Sequence, residues 1–322
     1  LKLEQIKKYE SNNGRAEEFV DAFILNKSWE QHQSTLSELS KITKQDIIDF
    51  VNKNYSDNYV VVYKRLGDDP NAIKVTKPQI TPVTVNREDK SEFLSSVLAE
   101  DVKDIEPKFV DFSKDIQQDK MNSVSLLYKE NKENERFQLN YVLDMGTDHN
   151  KKLKLAVDYL KYLGTDQISS NKKLEEFYKL GCDLSVNTSS NLTRISLTGL
   201  SGNFEESVTL LENILSNAVA DEDALLSLKA TYEKQKSDAK LDKQVILFSA
   251  MTSYARYGKN SSFTNSLTKE ELDSTNSTEL LEIIHNLTKN DHRVLYYGPD
   301  NISDVKQLLL NIHNTSDLIA IE

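Results

Sequence analysis

The sequence predicts an α+β fold, in which an antiparallel sheet has its helices packed on one face. Apolar and polar residues alternate in 123–128 and in 137–143, which is typical of half-buried antiparallel strands. Between 150 and 163 the apolar residues recur at helical spacing instead, which predicts a helix with one apolar face. The chain has 322 residues, of which 38% are hydrophobic and 28% charged, so it can bury a core large enough to fold.

The first 65 residues are predicted to form helices followed by a single strand. Apolar residues recur at helical spacing in 16–25 and in 47–51, and Thr43 can cap the second of these helices. The run 59–63 is β-branched and aromatic, which predicts a buried strand. Because one strand has nothing here to pair with, we interpret residues 1–67 as the C-terminal part of a preceding domain.

Residues 68–107 are predicted to be a linker between two larger parts of the protein. Four of the five prolines of the chain lie in it, at positions 70, 78, 82 and 107. The stretch 75–85 is interrupted by proline and is expected to be extended, as an edge strand would be.

Residues 108–322 are predicted to form the core domain. Its predicted elements are, in chain order, strands 123–128 and 137–143, helices 150–163 and 174–180, strands 184–188 and 192–200, three helical runs, a strand at 295–297 and a helix at 302–312. Gly181 follows the second helix, where a left-handed residue commonly ends a helix. Strands with helices grouped on one face give a sandwich of one sheet and one helical layer.

Composition excludes several classes of function. The chain has 40 basic and 51 acidic residues, a net charge of −11, which argues against a nucleic-acid partner. The single cysteine, Cys182, excludes an internal disulfide framework and a cysteine zinc cluster, and is predicted to be a packing residue. No apolar run approaches the roughly 20 residues of a membrane span. The sequence begins without an initiator methionine or a signal peptide, so we expect it to be a piece of a longer protein.

The stretch 143–165 is the most informative part of the chain. It resembles the active-site helix of the pitrilysin and insulinase family of zinc peptidases, in which a small-residue turn leads into His-x-x-Glu-His and a Gly-Thr pair closes the helix. Counting back from the pair 164–165 places the two histidine positions at Leu155 and Tyr159 and the catalytic glutamate position at Asp158. Leucine cannot bind zinc, and neutral tyrosine is a poor substitute for imidazole. We therefore expect neither a metal site nor a catalytic residue in this chain.

Other segments follow the order of elements in the same family. They are 181–194, 201–208, 257–263, 267–272 and 292–299. The chain thus resembles the inactive, non-zinc-binding half of such a peptidase, which implies a metallopeptidase-like αβ sandwich. In the family the third metal ligand comes from a later helix, where Glu233 and Asp238 are the candidates here.

The resemblance implies a non-catalytic half of a two-half zinc metalloendopeptidase, forming the wall of the substrate chamber opposite the catalytic half. Zinc and the general base would then come from an active half, on the same polypeptide or on a partner subunit, and peptides would be the substrates. An alternative is a non-enzymatic peptidase-like scaffold or peptide-binding subunit. A third is a peptide-binding α+β module unrelated to the family. Long bacterial members of the family favour a periplasmic or exported location, which the sequence itself does not specify.

Three further groups of residues have open interpretations. Asp158 is either a solvated helix carboxylate or a polar contact on the inner face of the chamber. The five histidines, at positions 32, 149, 285, 292 and 313, show no pair at metal-ligand spacing. In the family's active half, the strand matching Leu184, Val186 and Thr188 is an edge that pairs with an extended substrate. Here it is either such an open edge or a strand buried against its neighbours.

Overall fold

The structure, a computed structural model, describes residues 1–67, 72–73, 75–83, 85–259, 261 and 263–321. The chain divides into two compact units. The first combines Leu1–Ser28 with Asp111–Glu322, and the second is Trp29–Val110. The predicted domain limits at 67 and 107 describe how this chain would fit into a longer protein. The division into two compact units does not test these limits, so they remain a prediction.

The described helices are α1 Lys2–Glu10, α2 Asn12–Ile24, α3 Trp29–Gln33, α4 Thr35–Leu39, α5 Lys44–Asn54, α6 Glu92–Leu98, α7 Phe112–Asp115, α8 Leu153–Leu160, α9 Ser170–Leu180, α10 Phe204–Asn217, α11 Glu222–Ala239, α12 Thr252–Tyr257, α13 Lys269–Ser274, α14 Ser277–Asn286 and α15 Ile302–Ile312. A π-helical segment, Val245–Met251, precedes α12. None of the helices in this part of the chain is both long and apolar enough to cross a bilayer.

The first unit is built on a mixed sheet of six strands in the order β1-β2-β6-β3-β5-β4. The strands are β1 Gln117–Met121, β2 Val124–Glu130, β3 Arg136–Leu143, β4 Asp183–Thr188, β5 Thr193–Leu200 and β6 Arg293–Gly298. All neighbours are antiparallel except β2 and β6, which are parallel. The predicted class, a mostly antiparallel sheet with packed helices, is confirmed.

The hydrophobic core lies between one face of this sheet and the helices. Leu139 of β3 is opposite Leu197 of β5 and Tyr296 of β6, so the three side chains share a face, and each is at most 2% exposed. Buried residues of α8, α10 and α14 cover them in one continuous cluster. Since each large apolar side chain contributes about 1.5–3 kcal/mol when buried, the alternation seen in the sequence determines which face receives the helices.

Several local predictions are confirmed. Thr43 forms a capping box with Asp46 at the start of α5. Gly181 ends α9 at φ 60°, in the left-handed region that glycine enters without steric cost. Cys182 is buried, and burial raises the pKa of its thiol, as expected of a packing residue rather than a nucleophile.

Two strand predictions are wrong. Residues 59–63 form no strand, and Val60 and Val62 are 90% and 87% exposed. The physical reason is that the described residues of this unit contain no second strand, and a strand without a partner leaves its backbone groups unpaired. The described residues of the stretch 75–85 likewise contain no strand. Positions 68–71, 74 and 84 of the predicted linker, and 260 and 262 of the segment 257–263, lie outside the described residues.

Strand β1 was not predicted, because its sequence is polar and lacks alternation. It pairs with β2 through a two-residue turn in which Asn122 adopts φ 53°, a conformation that asparagine tolerates better than most residues. The turn rather than hydrophobic patterning therefore specifies this strand.

Candidate functional site

The segments that flank α8 explain the glycines of the sequence motif. A Cβ atom on Gly146 would lie 2.4 Å from the Ser189 carbonyl oxygen, and one on Gly164 would lie 2.3 Å from the Ile168 carbonyl oxygen. Next to Gly146, the Thr147 N–H donates to the Ser189 carbonyl at 2.9 Å. The helix is thus held at both ends by close backbone contacts that only glycine permits.

The two positions that the resemblance aligns with histidines, Leu155 and Tyr159, face the core. Leu155 and Tyr159 are both 0% exposed. The Tyr159 hydroxyl donates to the Asp221 carbonyl at 2.9 Å and accepts from the Asp221 N–H at 2.8 Å, at the residue that caps α11. Burial is the main reason that the pKa of Tyr159 is raised. These positions therefore pack the domain rather than bind a ligand.

Asp158, which the resemblance aligns with the catalytic glutamate, is not a solvated carboxylate. It lies 2.5 Å from the Lys154 ammonium and 2.7 Å from that of Lys161, and it accepts a hydrogen bond of 2.6 Å from the Tyr232 hydroxyl on α11. Burial alone would raise the pKa of Asp158, but these three hydrogen bonds outweigh it and lower the pKa. The carboxylate is therefore ionised at neutral pH and ties α8 to α11.

The candidates for the third ligand do not reach this position. Glu233 pairs instead with Lys269, and Asp238 is exposed. The residue of α11 that faces Asp158 is Tyr232, whose pKa is raised by burial and by the hydrogen bond to Asp158. In the sequence, the one signal that could have pointed to Tyr232 is its position next to Glu233. Within the described residues, no three His, Cys, Asp or Glu side chains are grouped as metal ligands.

Strand β4 is the last strand of the sheet and pairs only with β5 among the described strands. At the β4–β5 turn, the Ser189 N–H donates to the Leu192 carbonyl at 2.8 Å. Hydrogen-bonded and non-hydrogen-bonded pairs alternate along an antiparallel ladder. Every second residue of β4, counted back from Ser189, therefore points its N–H and C=O groups to β5. Leu184, Val186 and Thr188 therefore present their N–H and C=O groups to the outer edge.

Comparisons with known proteins agree with this geometry at the level of the fold. No family model matches the sequence, and no curated protein matches it either. The structure is similar to the peptidase M16 inactive domain from Pseudomonas fluorescens, with a TM-score of 0.55 and 15% identity over 64% of this chain and 52% of that chain. This chain has the fold of a peptidase M16 inactive domain.

The M16 fold extends to longer proteases. The periplasmic protease PqqL from Escherichia coli matches with a TM-score of 0.54 and 14% identity over 89% of this chain and 30% of that chain. The ferredoxin protease FusC, solved in complex with Arabidopsis ferredoxin, matches with a TM-score of 0.56 and 12% identity over 97% of this chain and 37% of that chain. The chain therefore spans about half, or less, of the length of the structures it resembles.

Within the M16 inactive-domain fold, two histidines meet that the sequence did not pair. The Nε2 atoms of His292 and His313 lie 2.8 Å apart, and both rings are buried. Glu212 of α10 links His313 to Tyr141, since its Oε1 lies 2.8 Å from His313 Nδ1 and accepts a 2.7 Å hydrogen bond from the Tyr141 hydroxyl. Burial is the main cause that lowers the pKa of His292. This network joins β3, α10, β6 and the end of α15 inside the core.

Proposed function

We propose that this chain is the non-catalytic half of a two-half zinc metalloendopeptidase and forms the wall of the substrate chamber opposite the catalytic half. One observation carries the proposal: the M16 fold is kept while Leu155 and Tyr159 are buried as core residues. Zinc and the general base come from an active half, on the same polypeptide or on a partner subunit. By itself the chain is inactive, and peptides are the substrates of the assembly.

The likeness to longer proteases supports the rest of the arrangement. Residues 1–67 would close the preceding domain, 68–107 would connect the halves, and 108–322 would be the inactive domain. Because PqqL is a periplasmic protease, an exported or periplasmic location is part of the proposal. FusC, bound to ferredoxin in its structure, shows that a relative of this fold takes a protein as partner.

The test combines zinc content with complementation. Purified chain is dialysed and its zinc measured by elemental mass spectrometry, and hydrolysis of a quenched fluorogenic peptide is followed with and without a separately produced active half. We expect zinc far below one per chain, no hydrolysis by the chain alone, and chelator-sensitive hydrolysis once the active half is added. One tightly held zinc per chain would contradict the proposal. If no active half encoded with this chain gains activity when the two are combined, the scaffold alternative would be favoured.

The open edge of β4 is proposed to pair with the backbone of an extended peptide. The outward N–H and C=O groups of Leu184, Val186 and Thr188 form the pattern that an added strand requires. Replacing Val186 with proline removes one outward N–H but no bond to β5, and edge strands tolerate proline. We expect Val186→Pro to weaken peptide binding about tenfold or more while the domain stays folded, because one backbone hydrogen bond is lost and the proline ring obstructs its neighbours. Fluorescence anisotropy with a labelled octapeptide measures the affinity.

The matched control lies on the opposite edge of the sheet. Gln118→Pro changes an exposed position of β1, which is the other terminal strand. We expect this variant to bind the peptide as the unaltered chain does. Equal peptide affinity for Val186→Pro and the unaltered chain, with both folded by circular dichroism, would show that β4 is not the binding edge.

A further inference from the structure

A groove of about 560 Å³ lies beside the open edge of β4, within the size range of ligand pockets. One wall is β4 itself, and the other is formed by α8 and α9. Its apolar side chains include Val157, Leu160, Leu174, Phe177, Val186 and Ile214. Leu174 is 60% exposed and Tyr178, also in the lining, is 84% exposed, so the groove is apolar and open to solvent.

A buried cation lines this groove. Lys173 is 4% exposed, and its ammonium donates to the carbonyl oxygens of Leu160 at 3.0 Å and Lys161 at 3.1 Å, at the end of α8. Neither acceptor is a carboxylate, and the salt bridges found among the described residues do not include Lys173. An ammonium has three donors, so one is left for a ligand. Burial lowers the pKa of Lys173 to about 8, which leaves the amine mostly protonated at neutral pH.

The other charged groups of the groove are already paired. Lys161 lies 2.7 Å from Asp158, and Asp183 lies 2.7 Å from the Lys7 ammonium of α1. Lys173 is therefore the one charge of the groove lining that has no ionic partner among the described residues. A buried charge without a counter-charge is costly, and an anion that reaches it gains a strong, charge-assisted hydrogen bond.

We propose that this groove binds the C-terminal end of an extended peptide, with the terminal carboxylate on Lys173 and the last apolar side chain among the groove residues. The peptide backbone would pair with the outer edge of β4, so that strand addition and carboxylate capture act together. The inference rests on the proposed peptide-binding function and deepens it. It names the substrate class as peptides with a free C-terminal carboxylate on an apolar residue.

Two labelled octapeptides test this inference. They share one alternating threonine and valine sequence ending in leucine, and differ only in a free carboxylate or an amide at the C-terminus. Fluorescence anisotropy at pH 7 should show the acid binding about tenfold or more tightly than the amide, since a hydrogen bond to a charged group is lost in the latter. Lys173→Met should reduce the affinity for the acid to that for the amide.

The matched control is Lys172→Met, which removes the neighbouring charge from a half-exposed side chain that is paired with Glu175 and Glu176. It should leave the preference for the acid unchanged. Equal affinity of the unaltered chain for acid and amide would overturn the inference and leave the peptide-binding function standing. No binding of either peptide would overturn both. The acid and amide comparison uses the unaltered chain, so it does not depend on how Lys173→Met folds.

Discussion

Restoring the zinc-peptidase motif, by Leu155→His, Asp158→Glu and Tyr159→His together, is expected to destabilise the domain without creating a zinc site. Leu155 is 0% exposed, so an imidazole there loses apolar burial and has no partner provided for its nitrogens. Tyr159→His also breaks the two hydrogen bonds that its hydroxyl makes with the backbone of Asp221. Together these losses reach about 4 kcal/mol or more, a large share of the 5–15 kcal/mol that is typical of a domain. Urea unfolding and zinc analysis of the folded fraction measure the two effects.

A single histidine outside the buried face is the control. Lys151→His, at an exposed position before α8, should change the free energy of unfolding by less than about 1 kcal/mol. The expectation fails if the triple variant keeps the stability of the unaltered chain and binds one zinc. That result would mean that positions 155 and 159 open onto a cleft.

The second large effect is expected for Glu212→Ala in the buried histidine network. His292 Nδ1 lies 2.7 Å from the Asn290 carbonyl, which can only accept, so a neutral His292 offers Nε2 as an acceptor. His313 Nε2 must then carry a proton, and its Nδ1 faces the Glu212 carboxyl. His313 Nδ1 and the Glu212 carboxyl therefore share a hydrogen bond of 2.8 Å inside the core.

Removing the carboxyl leaves His313 Nδ1 without its hydrogen-bond partner and the Tyr141 hydroxyl without its acceptor. The His313 side chain is fully buried, so its ring has no contact with bulk solvent. A buried polar group left without a partner costs about 1–3 kcal/mol, and two such groups are left here. We therefore expect a loss of about 2–6 kcal/mol in the free energy of unfolding, measured by urea denaturation.

Two further variants serve as comparisons for Glu212→Ala. Glu206→Ala removes an exposed carboxylate from the same helix and should cost less than about 1 kcal/mol. Glu212→Gln keeps an oxygen that can accept from Tyr141 but replaces the second oxygen with an amide nitrogen, so its loss should lie between the other two. A loss below about 1 kcal/mol for Glu212→Ala would show that the network contributes little to stability.

Local patterns predicted much of the core domain. Alternation gave β2, β3 and β5, helical spacing gave α8, and Gly181 gave the end of α9, because each depends on residues close together in the chain. The same reasoning failed at 59–63, where β propensity was high but no partner strand exists in the described unit. It also missed β1, whose polar residues gain their order from a turn and from pairing with β2.

The candidate site was likewise predictable only in part. The expectation that positions 155 and 159 hold no metal came from the sequence alone, since the chemistry of leucine and tyrosine does not depend on the fold. The contacts of the site could not be predicted from the sequence. Tyr232 and Asp158 are separated by 74 residues, and His292 and His313 by 21. The same holds for Lys173, whose carbonyl partners lie 13 and 12 residues away at the end of another helix.

The sequence by itself thus determined the fold class, because periodicity is a local property, and it led to the expectation that the zinc ligands of the family are absent. Only the tertiary structure decided what Leu155 and Tyr159 contact, which strand ends the sheet and which cation lines its groove. These depend on the order of strands and on helix packing, which bring together groups that no sequence spacing relates.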